Sequence, residues 1–349
     1  MRLERRSHVP LALALGAPIG AIVAALALAG ILIAIAGAPV LEAYQRILIG
    51  ALGSRLSITE TLTRTTPLIL TGLAGAVAFR ARLWNIGAEG QFYVGALAAA
   101  ALGSKFGLQL PTMALIPSLM LAGAIAGIGL LLVPLALRLR FGVDEVVTTL
   151  LLNFVAILFI SMMIDGPLKD QLAFGWPQSV PIVDAAALPK LVERSRLHIG
   201  LLVAIAAALA MWLLQSWTLF GLESRAAGLN PPAASFAGVS LVAVLVKVAC
   251  LSGGLAGLAG AIEVLGVKGY VTTDLSPGFG YTGIVVAMLA GSHPIGVVFA
   301  SLFVATMFVG ADGMSRALGV PSFIADVIVS LSLLTMLVAL FLTSYRVRR

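Results

Sequence analysis

Long blocks of nearly unbroken apolar residues alternate along this chain with short polar or basic segments. Set against the roughly 20 residues that a helix needs to cross a bilayer, the blocks give ten candidate spans: 11–37, 58–79, 88–104, 111–137, 145–164, 198–219, 241–266, 280–291, 294–312 and 321–344. Some are short, and the pair divided by Ser292 to Pro294 reads as a hairpin. A lipid-embedded backbone must satisfy its own hydrogen bonds, so blocks of this length predict helices. The expected fold is all-α, a polytopic membrane protein of about ten helices in a single domain spanning 1–349. The first block, Leu11 to Ala36, is too long for the apolar core of a secretory signal and is expected to be a retained first helix.

One block is broken by polar residues. In GLAGAVAFRARLWNIGAEGQFYVGALA, Gly72 to Ala98, a membrane-length apolar stretch is interrupted by Asn85, Gly87, Glu89, Gly90 and Gln91. An amide, a carboxylate and helix-weakening glycines at bilayer depth are tolerated only inside protein or beside a wet cavity. Transporters build substrate routes in this way. Asn85, Glu89, Gln91 and Phe92, with Asn153 inside a later block, are therefore candidate pathway residues. The glycines are expected to turn backbone groups toward a cavity. For Glu89 the competing reading is a structural bridge to Arg80 or Arg82. Trp84, Phe92 and Tyr93 suit either stacking on a planar solute or anchoring at the interface.

The pentapeptide GLAGA occurs at Gly72 to Ala76 and again at Gly257 to Ala261. Each copy is followed by a glycine-interrupted polar passage and another small-residue helix. With ten spans the copies run in opposite directions, an inverted repeat whose halves cover 58–164 and 241–344. GLAGA segments at small-xxx-small spacing are also expected to pack helices closely.

Basic residues fix an expected orientation. Arg2, Arg5 and Arg6 begin the chain, Arg346, Arg348 and Arg349 end it, and Arg80, Arg82, Arg138, Arg140 and Arg225 fall in short segments on the same side. By the positive-inside rule both termini are cytoplasmic. Lys169, Lys190, Arg194 and Arg196 lie in the long 165–197 segment, expected outside, and long loops escape that rule. Asp144 and Glu145 open a helix, where carboxylates favour the positive end of its dipole. Lys247 and Glu263 share one span but lie about 24 Å apart along a continuous helix, too far to pair.

Composition agrees with the pattern: 60% of the 349 residues are hydrophobic and only 11% charged, with a mean hydropathy of +1.08. A net charge of +7 accompanies no basic stripe interleaved with aromatics, so nucleic acid is not an expected partner. The single cysteine, Cys250, excludes a disulfide within the chain. There is no G-x-x-x-x-G-K-[ST] loop, no H-E-x-x-H and no G-x-S-x-G, and His8, His198 and His293 are scattered. Neither a metal site nor catalytic residues are expected, and no cofactor is assigned to this chain.

The segment RAAGLNPPAASFAGVS, Arg225 to Ser240, reads as a short helix in the 220–240 loop. Asn230 suits the N-cap, Pro231 the first helical position and Gly238 the end. Ala233, Ala234, Phe236 and Ala237 would give it a small apolar face fit for a groove on another protein.

Together, NIGAEGQ at Asn85 to Gln91, DEVVTTLLLNF at Asp144 to Phe154 and GLNPPAASFAGVS at Gly228 to Ser240 resemble permease subunits of bacterial ABC importers. The likeness is to the group containing ribose-type, simple-sugar and branched-chain amino acid permeases, and strongest to its nucleoside-type members. It covers about 60 to 340. The resemblance implies a helical subunit of the inner membrane that pairs with a second permease, identical or homologous, over two cytoplasmic ATPases that bind the ATP. An extracytoplasmic binding protein delivers the substrate. Arg225, Gly228, Asn230, Pro231, Ala233, Ala234 and Gly238 fall in the family's coupling element, which docks on the ATPase. Pro232 departs from the pattern, for an acidic residue is common there. The expected solute is a nucleoside or purine, then a simple sugar, then a branched-chain amino acid. An ion-coupled secondary transporter is the rival class, though no paired carboxylates stand ready for a coupling ion. A membrane-embedded enzyme is the other rival, and no nucleophile or metal cluster supports it.

Overall fold

The computed structural model describes residues 2–5, 11–35, 37–106 and 110–348. Arg6, His8 and Arg349 lie outside the described residues. Thirteen α-helices follow one another among those described: α1 (Leu11–Ile35), α2 (Val40–Leu52), α3 (Arg55–Arg80), α4 (Ala88–Phe106), α5 (Thr112–Phe141), α6 (Glu145–Asp165), α7 (Gly200–Trp217), α8 (Leu219–Leu229), α9 (Pro231–Phe236), α10 (Leu241–Glu263), α11 (Phe279–Leu289), α12 (Pro294–Leu318) and α13 (Ile324–Ser344). All ten apolar blocks are helical. Six of the described helices are long and apolar enough by themselves to cross a membrane, and α11 and α13 are shorter apolar helices. The chain is a multi-pass membrane protein.

Two compact units are present, residues 62–301 and residues 1–61 with 302–349. In the second, α1 packs along α13, and the Thr335 hydroxyl donates to the Ala21 carbonyl at 2.7 Å. Residues 40–52 are not among the ten apolar blocks. They form α2, bent by 115° from α1. Ala43, Ile47 and Ala51, four apart, form its buried stripe, and Gly50 rests on the Gly310 backbone. The two ends of the chain pair with each other. Residues Arg2–Arg5 (β1) and Tyr345–Arg348 (β2) pair antiparallel, Arg2 opposite Arg348.

The larger unit is organised by one-sided helices. On α5, Leu115, Leu119, Gly123, Gly127, Leu131 and Leu135 face inward at four-residue spacing, while Leu121, Ile125 and Val133 are exposed. Similarly, α6 buries Thr149, Asn153, Ala156, Ile160 and Ile164 and exposes Val147, Leu151, Phe154, Leu158 and Met162. In lipid the exposed apolar face costs nothing, and close contact rather than water exclusion must hold helices together. Glycines supply that contact where α4, α5 and α10 meet. A Cβ on Gly257 would run into the Gly123 carbonyl, one on Gly260 into the Phe92 carbonyl, and one on Gly95 into the Gly257 carbonyl.

Contacts fix the direction of each helix in this unit. The C-terminal end of α3 meets α7 and α8, since Arg80 reaches Gln215 and Gly228 sits on the Arg80 carbonyl. At the opposite end, the 166–199 loop lies against the residues after α10. Ser179, Ile182 and Leu188 donate backbone N–H bonds to the carbonyls of Val271, Gly269 and Leu265. There α10 finishes in a π turn, Val264–Lys268, stopped by Gly269 at φ 78°.

Candidate translocation site

Between α3 and α4 the backbone folds back into the unit. Leu83 N–H closes α3 on the Ala78 carbonyl after Arg82, held in the left-handed region at φ 53°. The returning segment then meets Ser252, eleven residues into α10 and about 16 Å from its start at 1.5 Å per residue. The helix α4 therefore begins near mid-depth. So does α11, whose first turn meets the middle of α3 through the Thr71 hydroxyl, which donates to the Phe279 carbonyl at 2.9 Å. From there α4 runs to the 166–199 loop, where Gly103 abuts Ile182, and α11 runs the other way, alongside α3. The 19-residue α4 and the 11-residue α11 thus present their N-termini to each other beside the middles of α10 and α3.

Glu89 occupies that junction. Its Oε2 accepts the Gly280 N–H at 2.6 Å, with the Ser276 hydroxyl and the Tyr281 N–H also bonding the carboxylate. A helix N-terminus carries roughly half a positive charge, so two that abut repel unless an anion lies between them. Glu89, in the first turn of α4 and bonded to the first turn of α11, supplies it. No bridge to Arg80 or Arg82 forms. Arg80 Nη1 donates to Gln215 Oε1 at 2.9 Å and Nη2 to the Gln215 carbonyl at 3.3 Å.

Asn85 and Gln91 face each other as paired amides. Asn85 Nδ2 donates to Gln91 Oε1 and Gln91 Nε2 to Asn85 Oδ1, both at 2.9 Å. The same Oδ1 accepts the Gly87 N–H at 2.9 Å, and Nδ2 also donates to Ser252 Oγ at 3.0 Å. Ser252 in turn donates to the Ala74 carbonyl at 2.7 Å, tying α3, the break and α10 into one knot. All four polar positions of Asn85 are used, as burial to 1% exposure demands.

Helix α6 holds the other side of the break with three residues spaced by four. Glu145 Oε1 accepts the Trp84 N–H at 3.4 Å while paired with Arg138 at 2.6 Å. Thr149 Oγ1 accepts the Ile86 N–H at 3.3 Å. Asn153 Oδ1 accepts the Gly90 N–H at 2.8 Å, and its Nδ2 donates to the Ile86 carbonyl at 2.9 Å and the Tyr281 hydroxyl at 3.2 Å. The helix-dipole reading holds for both carboxylates: Asp144 caps α6 by accepting the Val146 N–H at 2.8 Å, and Glu145 lies in its first turn. Polar residues at i, i+4 and i+8 of an otherwise apolar helix were the available signal for a face that grips backbone. Gly87 and Gly90 serve that grip, not a turn toward a cavity. Neither has a positive φ, and a Cβ on Gly90 would press on Asn153.

The aromatics divide. Phe92 is fully buried, 6.0 Å from the Phe279 ring and 5.9 Å from Tyr93, and the Tyr93 hydroxyl donates to the Thr273 carbonyl at 2.6 Å. Trp84 lies apart, half exposed against Phe79.

The Arg225 to Ser240 segment is two helices, not one. Arg225 and Gly228 belong to α8, and α9 holds six residues. Asn230 Oδ1 caps α9 by accepting the Ala233 N–H at 3.2 Å, with Pro231 at its first position. At the other end Gly238, φ 86°, donates to the Ser235 carbonyl and Val239 to the Ala234 carbonyl, the Schellman arrangement. The exposed face is Ala233, Phe236 and Ala237, but Ala234 turns inward and is buried. Phe236 is 96% exposed.

Two opposed helix N-termini sharing a buried carboxylate where a chain segment breaks inside a multi-pass bundle fit a membrane transport subunit. Sequence comparison places it among known proteins: residues 57–343 match the family described as branched-chain amino acid transport system / permease component, and the chain belongs to that family. It is 36% identical to a glucose ABC transporter permease protein of Haloferax volcanii, over 99% of this chain and 93% of that one. It is 35% identical to a guanosine ABC transporter permease protein of Bacillus subtilis, over 91% of each. A nucleoside ABC transporter permease protein of Lactococcus lactis subsp. cremoris is 34% identical over 89% of this chain and 87% of its own length. The chain is thus the permease subunit of an ABC importer. It is a transport component rather than an enzyme, and works with ATPase and substrate-binding partners.

Proposed function

We propose that the chain carries a neutral polar solute, a nucleoside or related purine, past the junction of α4 and α11 by alternating access, with Asn85, Glu89, Gln91, Phe92 and Asn153 forming the junction's closed state. The observation that carries this is the Glu89 carboxylate accepting from Gly280 N–H. With the two helix N-termini already offset by a protein carboxylate, the junction has no call for an anionic solute. A planar base suits Phe92, Tyr93 and Phe279, which cluster beside it. The guanosine and nucleoside permeases among its relatives support this substrate class. A simple sugar is the second reading, favoured by the relative named for glucose.

ATP binds to partner ATPases and none to this chain. One ATPase docks on α9, both termini lie in the cytoplasm, and the 166–199 loop faces the binding protein. The second permease of the complex is identical or homologous. The opposed courses of α3–α4 and α10–α11 support an inverted repeat of 58–164 and 241–344. Proteoliposomes holding the complete complex, supplied with radiolabelled guanosine, glucose or leucine, test the substrate. ATP-dependent guanosine uptake, competed by other nucleosides, is expected. Uptake of leucine alone would overturn the reading.

A further inference from the structure

At the end of the larger unit where α8 leads into α9, a cleft of about 400 Å³ has Arg80, Arg82, Arg225, Gly228 and Leu229 in its walls. Three arginines line it and no carboxylate does. Arg80 is tethered on one side by Gln215, and its buried Nε has no partner. Arg82 and Arg225 are exposed and form no ion pair among the described residues. The contrast with Arg138, which is satisfied by Glu145, is informative. Arg225 lies close enough to Arg80 for the two charges to repel, an arrangement that an anion between them would relieve.

The walls bear on what that anion belongs to. Gly228 packs against the Arg80 carbonyl, and Leu229 is followed at once by Asn230, the cap of α9. The cleft is thus continuous with the short helix whose Phe236 stands clear of the chain. An arginine fork recognises a carboxylate with two parallel donors.

We propose that Arg80, Arg82 and Arg225 form a receptor for an acidic side chain, Asp or Glu, on the surface of the ABC ATPase, a second anchor beside α9. This rests on the reading of α9 as the docking helix. The apolar tip then gives contact area, and the arginine cleft sets register and discriminates among partners, as charges at the margin of an interface do.

The test uses the full complex with the ATPase that co-purifies with the wild-type chain. In Arg82→Lys/Arg225→Lys the charge is kept and an amine introduced, so a zero-length carbodiimide should join the new amine to an ATPase Asp or Glu, located by peptide mass spectrometry. In Arg82→Glu/Arg225→Glu, ATPase retention should fall about tenfold or more, through like-charge contact. Full retention in the reversed variant overturns the proposal. So does the absence of any ATPase adduct in the lysine variant, which remains decisive if the reversed variant fails to insert. Unchanged ATPase retention with lost binding to phosphatidylglycerol vesicles would make the cleft a lipid headgroup site and overturn it too. Phe236→Asp separates the two readings. If it releases the ATPase while charge reversal does not, only the cleft is wrong; if neither does, the docking reading of this whole face is wrong.

Discussion

Glu89 and Asn153 show how a single polar side chain in a membrane protein becomes committed to the backbone. Glu89→Gln preserves size but removes the negative charge between the N-termini of α4 and α11. Uptake by the reconstituted complex should fall while basal ATP hydrolysis persists, and wild-type uptake would show that the charge is dispensable. Asn153→Leu strips partners from the Gly90 N–H and the Ile86 carbonyl. Each buried orphan costs about 1–3 kcal/mol, so the variant should melt well below the wild type in detergent. His198 offers a pH-dependent counterpart outside the spans. It is buried, its Nδ1 accepts the Gly200 N–H at 3.1 Å, its ring abuts Gly266, and burial pushes its pKa down to about 4. Because the unfolded imidazole protonates near 6.5, the unfolded state binds more protons between those values. Stability is therefore complete above about pH 6.5 and declines as pH falls toward 4, by something on the order of 3 kcal/mol. Melting curves across that range should show this decline in the wild type and a smaller one in His198→Asn. Equal declines would remove His198 as the cause.

Which residues were polar at depth was legible in the sequence, because lipid gives Asn85, Glu89 and Gln91 so few places to be. What they bond to was not. The Asn85–Gln91 pair is local, but Ser252 and Gly280 lie 167 and 191 positions away from Asn85 and Glu89, and no periodicity links such distances.

At the scale of elements, helices were readable wherever a block was apolar throughout, and missed at α2, where Glu42, Gln45 and Arg46 interrupt the run and only the stripe Ala43, Ile47 and Ala51 is buried. The cap, proline and glycine around α9 were equally readable, since capping is decided within a few residues. The inward turn of Ala234 was not, for a six-residue helix has too little pattern to say which side faces its neighbours. Ala234→Glu would insert a carboxylate into the permease's own packing, whereas Phe236→Asp alters a side chain that touches almost nothing in this chain. Phe236→Asp should leave insertion and melting of the permease unchanged but release the ATPase, and with it substrate-stimulated ATP hydrolysis. Retained stimulation would dissociate α9 from coupling. Glycine contacts give a second expectation. Gly257→Ala drives a methyl into the Gly123 carbonyl, so α5 and α10 must part, and folded protein recovered from membranes should drop sharply. Recovery at the wild-type level would mean that the helices can separate at little cost.

For the whole molecule, β1 pairs with β2, so the two ends of the chain meet. Cysteines placed at residues 3 and 347 in a Cys250→Ala background should both resist an impermeant thiol reagent in intact cells. Labelling of either from outside would reverse the proposed orientation. The meeting of the N-termini of α4 and α11, with Glu89 between them, is on this account a gate that must part for solute to pass. Phe92 and Phe279 lie on either side of it, ring centroids 6.0 Å apart. The most direct measurement is uptake by Phe92→Cys/Phe279→Cys in the Cys250→Ala background, reconstituted with its partners, before and after a short reducible bis-thiol link. The account predicts measurable uptake unlinked, loss in proportion to linkage, and recovery on reduction. Undiminished uptake at complete linkage would contradict it.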